Sequence, residues 1–235
     1  MRALFVTGTD TGVGKTFVAL TLTAAWRAAG LSTGVMKPCE TGCETVAGEE
    51  PRLLPSDASL LWRESGTELS LDQVCPFRFR APLAPAEAAA LEGGSFSIDR
   101  AVELLRPIRS SHDVTLVEGA GGLLVPYEEG RSTADLALAM ELPLLIVARI
   151  GLGTINHTWL TVECARARGL EVLGVVFTRG HDPQTVPPGP EEARNPEVVE
   201  RLCRVTVLGN IPFIPSHDHL KAGEFVAIEK ILSRL

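Results

Sequence analysis

The 235-residue chain has little lysine: Lys15, Lys37, Lys221 and Lys230 are the only four, and arginine supplies the rest of its positive charge. Positive charge as a whole is in deficit, with a formal net charge of -7. That balance excludes a nucleic-acid binder that relies on bulk positive charge. It does not exclude an anionic ligand, because backbone dipoles in a loop hold phosphate whatever the net charge. No apolar run approaches the roughly 20 residues needed to cross a bilayer, so no membrane partner is expected. Cys39, Cys43, Cys75, Cys164 and Cys203 are odd in number and lack zinc-ligand spacing. Reduced thiols in a cytoplasmic protein are the expectation. A strand pattern begins almost at the first residue, so no signal peptide is read. Repeats and linkers are also missing, and the length suits one domain over residues 1–235.

What is present begins with Gly8-Thr9-Asp10-Thr11-Gly12-Val13-Gly14-Lys15-Thr16. The apolar run Ala3 to Val6 before it reads as a buried strand, and Phe17 to Ala29 after it reads as a helix. Strand, glycine-rich turn, then Gly-Lys-Thr opening a helix is a phosphate loop. Glycines let backbone N–H groups curl round an anion, and the helix N-terminus adds a partial positive charge. Lys15 would reach the β- and γ-phosphates of a bound nucleotide, and the Thr16 hydroxyl would ligate Mg²⁺. Five residues separate Gly8 from Gly14, one more than the standard four, so the loop is deviant. The competing reading is a glycine turn with no ligand.

Thr33 to Met36 reads as a second strand that delivers Lys37-Pro38 at its carboxyl end. Ligands collect at that edge of parallel sheets, so Lys37 is placed to approach the phosphates held by Lys15. A solvated lysine at a strand end is the alternative. Cys39 to Leu54, with Gly42, Gly48, Pro51 and Pro55 in or beside it, reads as a loop over that edge. Ser56 and Asp57 precede a short helical pattern, Ala58 to Glu64. Either is a helix cap, or Asp57 is a carboxylate near the metal; spacing does not choose.

Val114 to Glu118 is an apolar strand ending in a carboxylate, followed by Gly119-Ala120-Gly121-Gly122, read as a turn. This is the logic of a Walker B strand, whose terminal acid helps hold Mg²⁺, here Glu118. Further on, Leu142 to Ala148, Val172 to Phe177 and Thr206 to Leu208 read as strands. Val74 to Arg80 reads as an extended segment. Ala86 to Leu91, Ser97 to Arg109, Ser132 to Met140, Ile155 to Arg168, Pro196 to Arg204 and Glu224 to Leu235 read as helices. His181 to Asn195 reads as a loop and a lid candidate. His157 has no nucleophile partner and reads as a packed or surface side chain. Strand–helix alternation throughout predicts an α/β fold: one doubly wound, mostly parallel sheet with helices on both faces.

Four stretches together resemble the ATP-dependent dethiobiotin synthetases, a deviant P-loop NTPase family of biotin biosynthesis. They are Gly8 to Thr16, Lys37-Pro38 with Thr41-Gly42, Val117 to Gly122, and Gly153-Thr154-Ile155-Asn156-His157. The resemblance runs in order over nearly the whole chain. It implies an ATP-dependent cyclo-ligase that carboxylates 7,8-diaminononanoate with CO₂ (or bicarbonate) as a carbamate. ATP phosphorylates that carbamate, and the second amine closes the ring of dethiobiotin, releasing ADP and phosphate.

The resemblance also implies roles. Lys15 and Lys37 are catalytic. Thr16, Asp57 and Glu118 surround Mg²⁺. Gly12, Val13, Gly14, Lys15, Thr16, Phe17, Asp57, Glu118, Gly119, Ala120 and Gly121 hold ATP. Thr178, Arg179, Ile211, Pro212 and Phe213 lie at the base. Thr11, Lys37, Thr41 and Asn156 meet the diamine. The family is a homodimer, and Gly153 to Trp159 would reach the substrate of the other subunit, though plain core packing explains that helix equally well.

Some members carry Asn where this chain has Thr178, so another nucleoside triphosphate is admitted as a substrate. The family's Pro-x-x-Pro-His stretch appears as Pro82-Leu83-Ala84-Pro85-Ala86, without the histidine. The other reading is a ParA/MinD-like ATPase switch acting on a protein partner. Those ATPases carry an extra lysine early in the loop, where this chain has Asp10. A related amide-forming ligase would need a glutamine-hydrolysing domain, for which the chain is too short.

Overall fold

The computed structural model describes residues 1–46, 52–216 and 218–235. Six parallel strands form one sheet: β1 Arg2–Gly8, β2 Thr33–Met36, β3 Val114–Gly122, β4 Leu144–Arg149, β5 Val172–Thr178 and β6 Val207–Ile211. Their order across the sheet is β6-β5-β4-β1-β3-β2. β1 therefore lies between β3 and β4, and the loop after it sits at the middle of the carboxyl edge.

Period-two alternation divides the side chains of the sheet between two cores. Leu4 and Val6 of β1 face one layer with Leu116, Leu145 and Val147. There they meet Val18, Leu22 and Trp26 of helix α1 (Lys15–Ala28), spaced four apart on one stripe. Leu61 of α2 (Ser56–Ser65) and Ile231 near the C-terminus complete that layer. Ala3 and Phe5 face the other side, against Leu105 and Ile108 of α3 (Ile98–Ser111) and Leu136 of α4 (Thr133–Ala139). Under β4 and β5, Ile146, Val175 and Phe177 pack on Val162 of α5 (Thr154–Ala167) and Val199 of α6 (Pro190–Cys203). The predicted sheet with helices on both faces is the one observed.

Several boundaries differ from expectation, each for a non-local reason. The segment Gly119 to Gly122, expected as a turn, continues β3, because β1 pairs with it as far as Gly8↔Gly122 after a register shift. The expected lid over residues 181–195 is cut short, since α6 starts at Pro190 with Glu191 and Glu192 in its first turn. Proline at the first helical position, followed by acids, is a strong helix start. The last strand runs three residues past Leu208 to Ile211, paired to β5.

The expected helix Glu224 to Leu235 is reduced to Ile228–Leu232, and another short helix, His219–Gly223, precedes it. Between them Val226 bridges Gly209, and the Ala227 N–H donates to the Leu208 carbonyl at 2.7 Å. Short strands Cys39–Thr41, Glu44–Val46 and Arg52–Leu54 replace much of the expected loop. Gly48 and Pro51, read as part of that loop, lie outside the described residues. The segment Val74 to Arg80 is the end of a one-turn helix, Leu71–Val74, followed by a strand, Phe77–Phe79. No helix among the described residues is long and apolar enough to cross a membrane.

Candidate active site at the carboxyl edge

The loop after β1 is built for close approach. A Cβ at Gly8 would lie 2.7 Å from the Asp10 carbonyl, so a side chain there would force the loop open. Gly14 has φ 89° and occupies the N-cap of α1 with no side-chain cap. The first N–H groups of α1 are therefore left for a ligand, and the helix dipole favours an anion there. The Thr178 hydroxyl at the end of β5 donates to the Val13 carbonyl at 2.6 Å and pins the loop from across the sheet.

Strands β2 and β3 and the starts of α1 and α2 bring the charged groups together. Glu118 on β3 is fully buried, and Lys37 just past β2 is nearly so. The Lys37 ammonium donates to Glu118 Oε1 at 2.7 Å and lies 3.4 Å from Asp57 Oδ2 at the start of α2. The Thr16 hydroxyl on α1 donates to the same Glu118 oxygen at 2.8 Å. Lys15 folds back on the loop, with Nζ 3.2 Å from the Asp10 carbonyl.

Burial lowers the Lys15 pKa to about 8, against the attraction of Glu118. Burial also opposes the charge on Lys37, but Glu118 and Asp57 with the Glu118 hydrogen bond outweigh it and raise its pKa. Two neighbouring lysines thus differ: carboxylate partners raise the pKa of Lys37, whereas burial lowers that of Lys15.

Glu118 Oε2 is buried and has no hydrogen-bond partner among the described residues. Such an orphaned oxygen is costly unless a ligand meets it. The neighbouring donor set is two carboxylates and a hydroxyl, all oxygen, which suits Mg²⁺ with water and phosphate completing its shell. No three His, Cys, Asp or Glu side chains among the described residues form a metal cluster by themselves.

The rest of the expected site divides. Thr11 is exposed, and a Cβ at Gly121 would lie 3.5 Å from its hydroxyl, so the two segments face one another. The Ala120 N–H donates to the buried Tyr127 hydroxyl at 2.7 Å, which fixes the Gly119 to Gly121 stretch. Thr41 ends its short strand, half-buried. Asn156 is exposed near the start of α5 and makes no hydrogen bond to the charged cluster among the described residues.

Beside the loop a cavity of about 500 Å³ is lined by Gly12, Val13, Gly14, Phe17, Thr178, Arg179, Ile211, Pro212 and Phe213. Arg149 and Ile150, at the end of β4, also line it and were missed in the sequence, although the strand-end logic that found Lys37 applies to them. Arg179 pairs with Glu192 and donates to the carbonyls of His181 and Val186. Glu40 was missed as well: its buried carboxylate accepts from the N–H groups of Asp57 and Ala58 at 3.0 and 2.8 Å. Neither Ser56 nor Asp57 caps α2; Pro55 holds the N-cap position.

Solved structures with the same fold include the MinC:MinD cell division protein complex of Aquifex aeolicus (14% identity, TM-score 0.57, 100% of this chain and 95% of that one). A ParA family ATPase from Chlorobium tepidum aligns at 11% identity and TM-score 0.55 over 100% of this chain and 93% of that one. At those identities the likeness speaks for the fold, that of P-loop NTPases. A family model described as an AAA domain matches residues 2–220. The ATP-dependent dethiobiotin synthetase BioD of Anaeromyxobacter dehalogenans is 49% identical over 92% of both chains. That of Bacillus velezensis is 45% identical over 94% of this chain and 90% of its own. That of Bacillus licheniformis is 40% identical over 100% of this chain and 97% of its own. With the phosphate loop, the paired strand-end lysine and carboxylate, and these full-length relatives, the chain belongs to the ATP-dependent dethiobiotin synthetase family.

Proposed function

We propose that the chain, acting as one domain over residues 1–235, makes dethiobiotin from 7,8-diaminononanoate, CO₂ and ATP. The observation that carries this reading is Lys37, a buried cation just past β2 that is tied to Glu118 of β3 beside the phosphate loop. A switch ATPase needs no such second lysine. The curated relatives share the ligase name, whereas the MinD and ParA likeness extends to the fold alone, so the switch reading is not favoured.

The reaction starts from a carbamate on one amine of the diamine. A carbamate oxygen attacks the γ-phosphorus of ATP, and ADP leaves. The second amine then attacks the carbamate carbon of the mixed anhydride. Phosphate leaves, a proton is lost and a cyclic urea closes. Both partners in the first step are anions, so fixed positive charge is what the site must supply. The Lys37 ammonium faces the attacking carbamate, and Lys15 draws the β- and γ-phosphates to the α1 N-terminus. Phosphate contact would raise the Lys15 pKa that burial lowers. Thr16, Asp57 and Glu118 would hold Mg²⁺, which when bound offsets phosphate charge. Thr11, Thr41 and the Gly119 to Gly121 backbone line the diamine's path.

The carboxylate end of the diamine is taken by α5 of a second copy, through its N-terminus and Asn156. Thr154 Oγ1 there is buried with no hydrogen-bond partner among the described residues. Leu152, Trp159 and Leu160 are exposed beside it, as a subunit contact requires. Leu160→Glu should weaken a dimer about 30-fold, the loss of one well-packed contact residue. Sedimentation velocity checks it, and an unchanged monomer at all concentrations in the parent chain would remove the dimer from the reading.

The whole reading is tested by phosphate release from Mg-ATP with and without the diamine and bicarbonate. Release should depend on both. Release that ignores the diamine would overturn the ligase assignment.

A further inference from the structure

We propose that Glu40 is a positioning residue that tethers the Lys37 segment to the start of α2 and so sets Asp57 at the metal site. The inference rests on the reading of Asp57 as a Mg²⁺ ligand.

Helix α2 lacks a cap of its own. Its N-cap residue is Pro55, which has no side chain to accept a hydrogen bond. The N–H groups that a cap would satisfy belong to Asp57 and Ala58. Glu40 satisfies both, Oε1 accepting from Asp57 at 3.0 Å and Oε2 from Ala58 at 2.8 Å. The Ser56 hydroxyl adds a third bond to Oε1 at 3.2 Å. A carboxylate at a helix N-terminus is also favoured by the dipole. Glu40 is 5% exposed, so these bonds are not shared with bulk water.

The geometry does more than cap a helix. Glu40 lies three residues after Lys37, one before Thr41, and 17 residues before Asp57. A local cap at position 55 would satisfy the same N–H groups and leave α2 unattached to the Lys37 segment. Glu40 instead closes the base of the excursion between them. Lys37 Nζ and Asp57 Oδ2 are then held 3.4 Å apart from two separate elements.

The test uses the full chain and four variants: Glu40→Ala, Glu40→Gln, Asp57→Asn and the double variant Glu40→Ala with Pro55→Asp. Amide hydrogen exchange at Asp57 and Ala58 is followed in metal-free protein. The Mg²⁺ concentration for half-maximal phosphate release is measured with ATP, diamine and bicarbonate saturating. In Glu40→Ala, the two amides should exchange at least about tenfold faster, as a locally opened helix end does. Its half-saturating Mg²⁺ should rise about tenfold, as on losing a metal ligand's outer partner. kcat at saturating Mg²⁺ should stay within about threefold, because no group that touches substrate is lost.

In the double variant the new carboxylate should restore amide protection while the Mg²⁺ requirement stays raised. Recovery of both would overturn the proposal, since Glu40 would then be only a cap. Unchanged Mg²⁺ dependence in a folded Glu40→Ala would also overturn it. Glu40→Gln keeps one acceptor and the side-chain volume. It serves if the alanine variant does not fold, and a wild-type Mg²⁺ response in it overturns the proposal equally. Asp57→Asn separates the two levels: wild-type Mg²⁺ dependence in that variant overturns the metal reading, whatever Glu40 does to the amides.

Discussion

The two halves of the carboxyl edge use their polar groups in different ways. Around β1, β2 and β3, polar side chains meet one another across long stretches of sequence: Lys37, Glu118 and Thr16 converge, and Glu40 reaches α2. One strong acceptor, Glu118 Oε2, is still left open. Around β5 two polar side chains are committed to holding the wall. Thr178 binds the Val13 carbonyl, and Arg179 is occupied by Glu192 and two carbonyls. The first half is arranged for particular chemistry at a particular point. The second offers a cavity whose lining includes Ile150, Ile211, Pro212 and Phe213, with the guanidinium of Arg149. In the proposed reading, the chain specifies where the phosphates react far more tightly than which base they carry.

The hardest blow to that contrast would come from Lys37. Lys37→Ala should lower kcat by about 10²- to 10³-fold, the usual loss when one fixed charge-stabilising group goes. ATP affinity, measured by calorimetry, should change less than about threefold, because the phosphate loop is untouched. The variant also leaves Glu118 unpaired, at a cost on the order of 3–5 kcal/mol, so its Tm should be recorded beside its rate. Turnover that survives would remove Lys37 from the chemistry. Glu118→Gln sharpens the same half at smaller scale. It keeps the shape and removes the charge, and the Mg²⁺ needed for half-maximal rate should rise at least about tenfold. If the requirement is unmoved, the open oxygen of Glu118 has another use.

The legible parts of the molecule are those whose cause is local. Apolar runs gave all six strands of the sheet, and Gly-Lys-Thr or a charged residue at a strand end pointed to Lys15, Thr16, Lys37 and Glu118. What escaped depends on distant backbone. β3 runs on through Gly122 because β1 is beside it, and the last helix starts only at Ile228 because β6 captures Val226. Glu40 could not be read as a helix cap because the helix it caps starts 16 residues later, behind a proline. Arg149 is different: it closes an apolar run as Glu118 closes the run Val114 to Val117, and the same rule applied to β4 would have found it.

The smallest expected effects lie in the half proposed to hold the base, and they decide whether the contrast holds. A site that hydrogen-bonds a group on its substrate rejects analogues lacking that group by about 10⁴- to 10⁵-fold, whereas an apolar pocket manages roughly 10²-fold. Thr178, Arg179 and Glu192 already have partners in the protein, and a guanidinium such as Arg149 stacks on any aromatic face. ATP, CTP and GTP should therefore differ in kcat/KM by less than about 10²-fold, read as dethiobiotin formed at subsaturating nucleotide. Thr178→Val keeps the wall and deletes the bond to Val13, a loss of about 1 kcal/mol. Because that bond fixes the loop and not the base, affinity should fall about fivefold for all three nucleotides alike. A preference for ATP above about 10³-fold, or a Thr178→Val change that falls on one nucleotide only, would mean that the second half reads the base as closely as the first half places the phosphates.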